Sequence, residues 1–575
     1  MRYVDTKEID YFAEQVKRFD SQQMAPEDFQ RFRLENGVYG IRGTTELHMI
    51  RVKIPLGFLD ADQMDAMAEA AEKLTPGKLG HVTTRQDIQF HNIKRADVAE
   101  FLRIIGKTDL TTREACGNTV RNVTACPFAG ISPTEHFDVT PYAKVIVDFF
   151  LRNPLNQNMP RKFKIALEGC PEDHARTPIH DLGIVAAIKE ENGKKIRGFK
   201  MYVGGGLGTY QRAAKLLEDF TPVEHLLPTA EAIIRVYDRL GERKDRNRAR
   251  IKFLVDKLGL EEFRKVVFAE RTAVLATRPA HAIRTFDIAE EKPPTGLGTF
   301  SNEMAGNKEF SHWKLTNVFE QKQKGYYAAH VRCPLGDLTV AQFRALASIA
   351  RKHCGGRLMT TIAQNMLLRW VPEAALGSLY KELTKAGLAF AGAERFIDIT
   401  RCPGADTCNI AVTKSRGLAA AIGEMFSNGL KEVGDLGETF IKISGCPNSC
   451  GQHHIATLGF YGGSKNVNGH AVPHYQMLVG GTTKQGEALF GKPVMKLPAR
   501  RVPQAVEKVV KIYRDQRKNN ETLAEFLLRA GVESLEKDLH EFTELPPFDK
   551  APELYRDWSD DIEFKLKVGK GECAV

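Results

Sequence analysis

Two pairs of cysteines in the C-terminal half of the chain have the spacing of metal-ligand loops. Cys402 and Cys408 lie in RCPGADTC, and Cys446 and Cys450 lie in GCPNSCG. Four thiolates in two close pairs suit an iron–sulfur cluster or a zinc ion. Zinc sites usually take two pairs of the C-x2–4-C type, which the wider spacing of the first pair fits poorly. Four buried structural cysteines are the alternative without a metal.

Cationic residues occur in three short motifs of the N-terminal half. They are Arg85 in TTRQ, Arg121 in VRNV, and Arg161, Lys162 and Lys164 in PRKFK. On a strand, the two lysines would face the same side because they are two positions apart. Adjacent ammonium groups repel each other, which lowers the pKa of at least one of them. Such a pair can bind a dianion and donate protons to it. A solvated surface residue is the alternative for each cation.

The composition limits the classes of protein to consider. The 575 residues are 42% hydrophobic and 27% charged, with a formal net charge of +10, which is ordinary for a globular chain apart from its basic character. A basic surface suits an anionic partner or substrate. Because no run of five basic residues occurs, we expect no nucleic-acid-binding tail. The charged N-terminus and the absence of an apolar stretch of about 18 residues predict a cytoplasmic protein without a membrane segment.

The chain contains one pattern twice, about 276 residues apart. RVKIPLG is repeated as VRCPLG, EGCPED as SGCPNS, and YVGG as LVGG, in the same order. Each copy begins with an alternating strand, a helical pattern, a second strand and a second helix, and then continues as a mixed α/β segment. Two such βαβα units could pair into one pseudo-symmetric sheet. The elements therefore predict two related halves that position the motifs between them.

The two copies differ at the cysteine motif. Cys170 aligns with Cys446, but His174 stands where the second copy has Cys450. We therefore expect a single cluster, built in the C-terminal half, with Cys170 as a remnant of the duplication. His453 and His454, which follow the last cysteine, are interpreted as loop residues.

This combination of motifs resembles the sirohaem-dependent sulfite and nitrite reductases. C-x5-C is followed after 37 residues by C-x3-C, with TTRQ, an Arg-Asn motif and PRKFK upstream. The resemblance covers about residues 37–548 and is closest to the single-chain ferredoxin-dependent sulfite reductases. It implies sirohaem and a 4Fe–4S cluster as cofactors. Sirohaem carries eight carboxylates, so its burial requires many Arg and Lys partners.

The resemblance also implies the roles of individual residues. The implied cluster ligands are Cys402, Cys408, Cys446 and Cys450, and the sulfur of Cys450 also bridges to the sirohaem iron. The implied substrate-binding residues are Arg85, Arg121, Lys162 and Lys164. The implied further contacts to sirohaem come from Asn448, Arg85, Arg121 and Arg161.

The expected fold class is α+β with a pseudo-twofold internal duplication. Two ferredoxin-like half-domains pair into one unit, and two homologous mixed α/β domains bind the sirohaem. The predicted boundaries are an N-terminal arm at 1–36, a half-domain at 37–115, an α/β substrate domain at 116–280, a linker at 281–316, a second half-domain at 317–395, the α/β cluster domain at 396–548 and a tail at 549–575.

The predicted reaction is the six-electron reduction of sulfite to sulfide. Nitrite reductases of this family commonly have Asn where Lys164 stands here, and an extra cation favours the dianion sulfite over the monoanion nitrite. Reduction of nitrite to ammonium is the alternative substrate reaction. A zinc-stabilised basic binding protein is the alternative from a different class.

A covalent link between Tyr39 and Cys116 is a further implication of the resemblance. Some ferredoxin-type members carry a Tyr–Cys thioether beside the haem, and GVYGIR and TTREACGN match those motif contexts. An ordinary core tyrosine and a free cysteine are the alternative.

The electron donor must be a separate protein. GGGLG at residues 204–208 lacks the G-x-G-x-x-G spacing of a dinucleotide-binding turn and is interpreted as a tight turn near the cofactor. The positive net charge suits an acidic ferredoxin, with a flavoprotein as the alternative donor. We expect a monomer. Because both copies lie in one chain with one four-cysteine set, a subunit of a dissimilatory sulfite reductase is disfavoured.

Overall fold

The structure is a computed structural model that describes residues 2–277, 291–300, 304, 306–428, 436–569 and 571–572. Parts of the predicted linker, residues 281–290, 301–303 and 305, lie outside the described residues. Residues 291–300 have no regular secondary structure. No helix among the described residues is long and apolar enough to cross a membrane.

Copy one begins with two helices that pack on the first core. Phe12 and Val16 of the first helix and Phe29 of the second are buried there. The first half-domain then follows. The elements are α1 (Thr6–Asp20), α2 (Pro26–Glu35), β1 (Val38–Gly40), β2 (Leu47–Val52), β3 (Phe58–Asp60), α3 (Ala61–Leu74), β4 (Leu79–Val82), β5 (Ile88–Lys94) and α4 (Val98–Gly106).

The α/β domain of copy one follows directly. The strand Ile165–Glu168, which runs parallel to a strand on each side, is buried at every position, as expected for a parallel strand covered on both faces. The elements are β6 (Thr124–Ala125), α5 (Thr140–Phe150), β7 (Ile165–Glu168), β8 (Leu182–Glu191), β9 (Lys194–Val203), β10 (Lys215–Pro222), α6 (Leu226–Leu240), α7 (Ile251–Leu258) and α8 (Leu260–Thr277).

Copy two repeats the half-domain in the same order. The elements are α9 (Lys308–Asn317), β11 (Val318–Glu320), β12 (Tyr326–Val331), β13 (Asp337–Thr339), α10 (Val340–Cys354), β14 (Arg357–Thr360), β15 (Met366–Pro372) and α11 (Leu376–Lys385). Its α/β domain contains β16 (Thr400–Arg401), α12 (Ser415–Asn428), β17 (Ile441–Ser444), β18 (Leu458–Val467), β19 (His470–Val479), β20 (Thr482–Lys484), β21 (Glu487–Leu489), β22 (Lys492–Pro498), α13 (Val502–Gln516) and α14 (Leu523–Leu539).

The central helices of the half-domains start at matching capping boxes. In α3, Asp60 accepts from the backbone N–H of Gln63 at 2.8 Å, and the Gln63 side chain accepts from the Asp60 N–H at 3.1 Å. Thr339 and Gln342 form the same pair at the start of α10. These reciprocal bonds satisfy otherwise unpaired N–H groups of the first turn, so both helices begin at a defined residue.

The two half-domains exchange a strand. Their sheets have the orders β1-β2-β5-β4-β13 and β11-β12-β15-β14-β3, so each ends on a strand from the other copy. Leu338 of β13 is paired with Gly80 of β4, and Leu59 of β3 is paired with Leu358 of β14. The predicted pairing of the half-domains into one unit is confirmed, and the exchange supplies its connection.

The two α/β domains have the same sheet topology. The orders are β10-β9-β8-β7-β6 and β16-β17-β18-β19-β22. β6, β7 and β8 run parallel in the first sheet, and β16, β17 and β18 run parallel in the second. In each sheet the strand that follows is antiparallel. The loops that follow β6 and β7 in copy one therefore correspond to those that follow β16 and β17 in copy two. These are the loops that carry the cysteine motifs.

Candidate active site

A cavity of about 580 Å³ lies where the half-domain and the α/β domain of copy one face the cysteine loops of copy two. The predicted site residues on its wall are Tyr39, Arg85, Arg121, Arg161, Lys162, Lys164, Cys402, Cys408, Cys446, Asn448 and Cys450. The two sides touch directly, because the Thr84 hydroxyl donates to the Cys450 carbonyl oxygen at 3.0 Å. The structure thus brings together residues more than 300 positions apart in sequence.

The cysteine loops are shaped by close backbone contacts. The N–H of Gly445 donates to the Cys402 sulfur at 3.2 Å, and the Asn448 amide donates to the Cys446 sulfur at 3.5 Å. A Cβ at Gly451 would lie 2.1 Å from the Ile443 carbonyl oxygen. Only glycine allows this approach, and it fixes the end of the loop that carries the last two cysteines.

The electrostatics of the four cysteines favour a bound metal. Burial, followed by the neighbouring sulfurs, raises the pKa of Cys408 and Cys446 to about 12. Burial also raises the pKa of Cys402, with Cys450 as the next cause. Four thiolates can be held together here only if a cation compensates their charge. The donor set therefore fits a metal centre.

The four sulfurs are not grouped as closely as the ligands of a single ion. A zinc ion with bonds of about 2.3 Å keeps its sulfur ligands within about 4.6 Å of one another. Among the described residues, the only group of three or more ligand atoms that all lie within 4.8 Å of one another belongs to copy one and contains none of these four cysteines. The cavity cysteines are spread more widely than a single zinc ion requires.

Arg85 is half-buried and bonded to the floor of the cavity. Its guanidinium donates to Thr124 Oγ1 at 3.0 Å and to the Ile165 carbonyl oxygen at 3.2 Å, and also contacts the Asn122 carbonyl oxygen and His180 Nε2. Burial lowers the pKa of Arg85 to about 10. Burial also lowers the pKa of His180 well below its ordinary value, so the imidazole ring stays neutral and can accept a hydrogen bond from Arg85. The charge of Arg85 is thus held in a fixed position.

Arg121 contacts Tyr39 and the backbone on either side of Cys116, the two residues of the predicted thioether. Its guanidinium donates to the Ala115 carbonyl oxygen at 2.9 Å and lies 3.5 Å from the Tyr39 hydroxyl. Tyr39 lines the cavity, whereas Cys116 is fully buried next to Ala115 and is not part of the wall. The guanidinium thus bonds the backbone beside Cys116 and approaches the Tyr39 hydroxyl, and the covalent link between Tyr39 and Cys116 stays a prediction.

Lys162 and Lys164 lie on either side of Phe163, which forms an isolated β-bridge, and they do not belong to a long strand. Phe163 between them is buried and pairs with Val120, and β7 begins only at Ile165. Both lysines line the cavity and are half-buried. Burial, followed by repulsion from Lys162, lowers the pKa of Lys164 well below that of an ordinary lysine. The predicted same-side lysine pair is therefore present at the cavity wall.

A second cationic group was not predicted from sequence. Arg250 forms a bidentate ion pair with the fully buried Asp181, at 2.8 and 2.7 Å. Lys252 donates to the Leu207 carbonyl oxygen of the GGGLG turn at 3.1 Å, and burial lowers its pKa to about 7. Arg250, Lys252 and Leu207 line the cavity, so this turn does lie at the site. In the sequence, a basic residue at every second position from Arg246 to Lys252 could have indicated this group.

The charge of the wall fits a polycarboxylate cofactor. The described Arg and Lys residues that line the cavity are Arg51, Arg85, Arg121, Arg161, Lys162, Lys164, Arg246, Arg250, Lys252 and Arg401. Against these ten cations, the described wall has two acidic residues, Asp87 and Glu572. Glu572 is already paired with Arg33 at 2.6 Å. Arg250 and Arg401 are already paired with Asp181 and Asp337, which do not line the cavity. The other basic residues still outnumber the acidic ones on the wall, so they can compensate buried carboxylates, as sirohaem requires.

His453 and His454 lie in a 3₁₀ turn after the last cysteine. Both are buried, and His454 Nε2 lies 3.1 Å from the Gly208 carbonyl oxygen. Neither lines the cavity. Their interpretation as loop residues agrees with this position.

Comparisons with known proteins agree with the two-copy layout. The model of the nitrite and sulphite reductase 4Fe-4S domain matches residues 116–274 and 392–544. The model of the nitrite/sulfite reductase ferredoxin-like half domain matches residues 39–108 and 319–386. Each model thus matches once in each copy.

Individual proteins match over most of the chain. The assimilatory ferredoxin-dependent nitrite reductase of Haloferax mediterranei is 28% identical over 547 residues, which cover 92% of this chain and 90% of that protein. The ferredoxin sulfite reductase 1 of Mycolicibacterium paratuberculosis is 27% identical over 463 residues, which cover 79% of this chain and 77% of that protein.

The fold agrees with a solved structure. NirA of Mycobacterium tuberculosis superposes with a TM-score of 0.76 at 23% identity, covering 91% of this chain and 94% of that chain. Together, the ranges that the two family models match cover more than half of the chain. The chain therefore belongs to the nitrite and sulphite reductase family, whose members bind sirohaem and a 4Fe–4S cluster.

Proposed function

We propose that this protein reduces sulfite to sulfide with six electrons from reduced ferredoxin. The observation that carries the proposal is the pair Lys162 and Lys164 on the cavity wall, with Arg85 and Arg250 among the cations that act on Lys164. Two adjacent ammonium groups attract a dianion more strongly than a monoanion. The balanced reaction consumes seven protons and six electrons per sulfite and yields HS⁻ and three water molecules.

In this proposal the cluster is held by the four cavity cysteines. Cys402, Cys408, Cys446 and Cys450 would be its ligands, and Cys450 would also hold the sirohaem. Asn448 and Arg161 would contact the macrocycle from the wall. When bound, the two cofactors would carry the electrons of the donor to the anion.

The residues of the chain supply position, charge and protons. Arg85 is fixed by its bonds to Thr124 and neighbouring groups, so it offers a positive charge that does not reorganise during the reaction. Arg121 is held by Ala115 in the same way. Lys164 has a lowered pKa, which makes it a better proton donor than an ordinary lysine. Each oxygen that leaves as water needs two such protons.

Ferredoxin is the proposed donor, and a flavoprotein is its alternative. Relatives are named as ferredoxin-dependent enzymes. The net charge of +10 favours electrostatic attraction of an acidic protein. We further propose that the enzyme acts as a monomer, because the chain supplies both copies around the cavity.

Nitrite is the second candidate substrate. The relatives from Haloferax mediterranei and Synechococcus elongatus, each 28% identical, are named nitrite reductases. Reduction of nitrite to ammonium takes six electrons and eight protons and releases two water molecules. The same cationic cavity can bind this monoanion.

Anaerobic steady-state kinetics with reduced ferredoxin tests the choice. We expect kcat/KM for sulfite to exceed that for nitrite, with one sulfide formed per six ferredoxins oxidised. A higher kcat/KM for nitrite would assign the enzyme to nitrite reduction. Activity with neither anion would contradict both assignments.

A further inference from the structure

Copy one contains a compact group of metal-ligating side chains that the reaction does not use. Potential ligand atoms of Cys126, Glu168, Cys170 and His174 all lie within 4.8 Å of one another. The Cys126 sulfur is 3.8 Å from the Cys170 sulfur and 3.5 Å from His174 Nδ1. The two cysteines and the glutamate are buried, and His174 is half-buried. Two sulfurs, an imidazole and a carboxylate at this separation can surround one ion.

The group occupies the position of the cluster loops in the duplicated fold. With the offset of 276 residues, Cys126 corresponds to Cys402, Cys170 to Cys446, and His174 to Cys450. Ser132 stands where the second copy has Cys408. The backbone that brings cysteines together is thus retained, while two of the four thiolates are replaced.

The loop is held in place by the same bond in both copies. Glu168 accepts from the N–H groups of Gly169, Cys170 and Ala175, each at 2.7 Å. The corresponding bond in copy two runs from the Gly451 N–H to the Ser444 hydroxyl at 3.1 Å. Glu168 thus fixes the loop between Cys170 and His174 and also adds a carboxylate beside their ligand atoms. A preformed loop of this kind lowers the entropy cost of binding an ion.

The four side chains have the composition of a zinc site. We propose that Cys126, Glu168, Cys170 and His174 bind one zinc ion, as a structural site separate from the catalytic cavity. Zinc takes sulfur, nitrogen and oxygen ligands in a tetrahedral arrangement, and sites closed by four protein ligands are structural. The ion ties the loop after β6 to the loop after β7.

Zinc binding would release protons from this group. Burial raises the pKa of Cys126 well above that of a free thiol and the pKa of Glu168 to about 8. A hydrogen bond with Cys126 is the largest cause that lowers the pKa of Cys170 to about 5. Zinc would replace the protons of the neighbouring ligands as the cation beside the Cys170 sulfur.

The test measures zinc in the intact protein with its cofactors. The protein is produced in medium containing zinc and dialysed to remove loosely bound ions. Zinc is then measured by mass spectrometry and its ligands by X-ray absorption at the zinc edge. We expect about one zinc per chain, with two sulfur ligands near 2.3 Å and two nitrogen or oxygen ligands near 2.0–2.1 Å. Four sulfur ligands would place the ion at the cavity cysteines and overturn the proposal.

Two variants and a matched control complete the test. Cys170→Ser and His174→Ala should each lower the bound zinc at least about tenfold under the same dialysis. Cys354→Ser changes a buried cysteine outside the group, whose sulfur bonds the Arg357 carbonyl oxygen, and should leave the zinc unchanged. The proposal is contradicted by unchanged zinc in both variants, by no zinc in the unmodified protein, or by a Cys126–Cys170 disulfide in its peptide map.

Discussion

At the scale of residues, the chemistry of the cavity depends on how the neighbours of each cation shift its pKa. Burial is the largest cause of the lowered pKa of Lys164, and Lys162, Arg85 and Arg250 lower it further. The Cys450 sulfur is the one neighbour among the named causes that raises it. Lys164 therefore combines a positive charge for anion binding with a proton that is given up more easily than usual. Both properties follow from its neighbours.

Replacement of Lys164 tests its role in choosing the substrate. In Lys164→Asn, we expect kcat/KM for sulfite to fall by about 100-fold, because an ammonium group that stabilises developing negative charge is lost. The value for nitrite should fall at least tenfold less, since a monoanion loses less attraction. Lys195→Asn, at an exposed position near the start of β9, is the control. Equal losses for both anions would show that Lys164 does not discriminate between them.

The lysine pair also predicts a pH dependence. If protonated Lys164 is required, activity falls as the pH rises through its lowered pKa, below the value of about 10.4 for a free lysine. Lys162→Met removes a repelling cation and should shift this alkaline limb to higher pH. The measurement is kcat/KM for sulfite against pH in both proteins. A limb that does not move, or that moves to lower pH, would contradict the coupling.

The sequence predicted the site residues that occur in compact motifs. The four cysteines, Arg85 and the lysine pair were named because short spacing or repeated motifs carried the signal. Arg250 and Asp181 are 69 positions apart, directly before α7 and β8, and become a pair only in the folded chain. Cys126 could have been found, because the offset that aligns Cys170 with Cys446 also aligns it with Cys402.

At the scale of elements, the cysteine loops depend on glycines that approach the backbone. A Cβ at Gly451 would lie 2.1 Å from the Ile443 carbonyl oxygen, and one at Gly445 would lie 2.5 Å from the Thr413 carbonyl oxygen. Backbone atoms cannot yield as flexible side chains do, so an added methyl group must displace a loop. Such a displacement would move the cysteines relative to one another.

Gly451→Ala tests this dependence. We expect iron and acid-labile sulfide per chain to fall severalfold, together with a loss of stability of about 1–3 kcal/mol from overpacking. Gly463→Ala on β18 is the control, since its Cβ would meet nothing within 4 Å. Cofactor content is measured by chemical analysis and stability by thermal unfolding. Full iron and sulfide content in Gly451→Ala would show that the loop tolerates the displacement.

The longer elements were predictable and the shortest were not. The apolar periodicity of ADQMDAMAEAAEKL gave the bounds of α3, and the pattern of VAQFRALASIARKH gave nearly all of α10. The strands β1, β3, β11 and β13 have only three residues each, which is too short for an alternation to be recognised. Two of them, β3 and β13, are the exchanged strands, so the strand exchange between the copies could not be predicted from the sequence pattern.

At the scale of the molecule, duplication has produced one catalytic cavity from two similar halves. Phe440 occupies in copy two the position that Lys164 has in copy one. Its ring lies under the Arg176 guanidinium at 5.3 Å and near the Lys442 ammonium group at 5.5 Å. One copy thus has the cations proposed to bind the substrate, and the other has the four cysteines. The proposed active site needs both, because each copy supplies part of its wall.

The exchanged strands predict that the copies stay together when the chain is cut. A protease site inserted between Gly298 and Thr299, both exposed, would divide the chain between the copies. After cleavage we expect the two fragments to elute together in size-exclusion chromatography with the absorbance of the uncut protein, because each half-domain sheet contains a strand of the other copy. Separation into two smaller species under native conditions would mean that the exchange contributes little to the association.

The central claim is that one cavity, with walls from both copies, holds sirohaem and a 4Fe–4S cluster together. The most direct measurement is the content of iron, acid-labile sulfide and extractable sirohaem in the purified protein and in Cys450→Ala. The unmodified protein should contain about five irons, four sulfides and one sirohaem per chain, as the two cofactors require. Cys450→Ala should lose most of its cluster. A protein with neither labile sulfide nor sirohaem, or a variant that keeps its full cluster, would contradict the account.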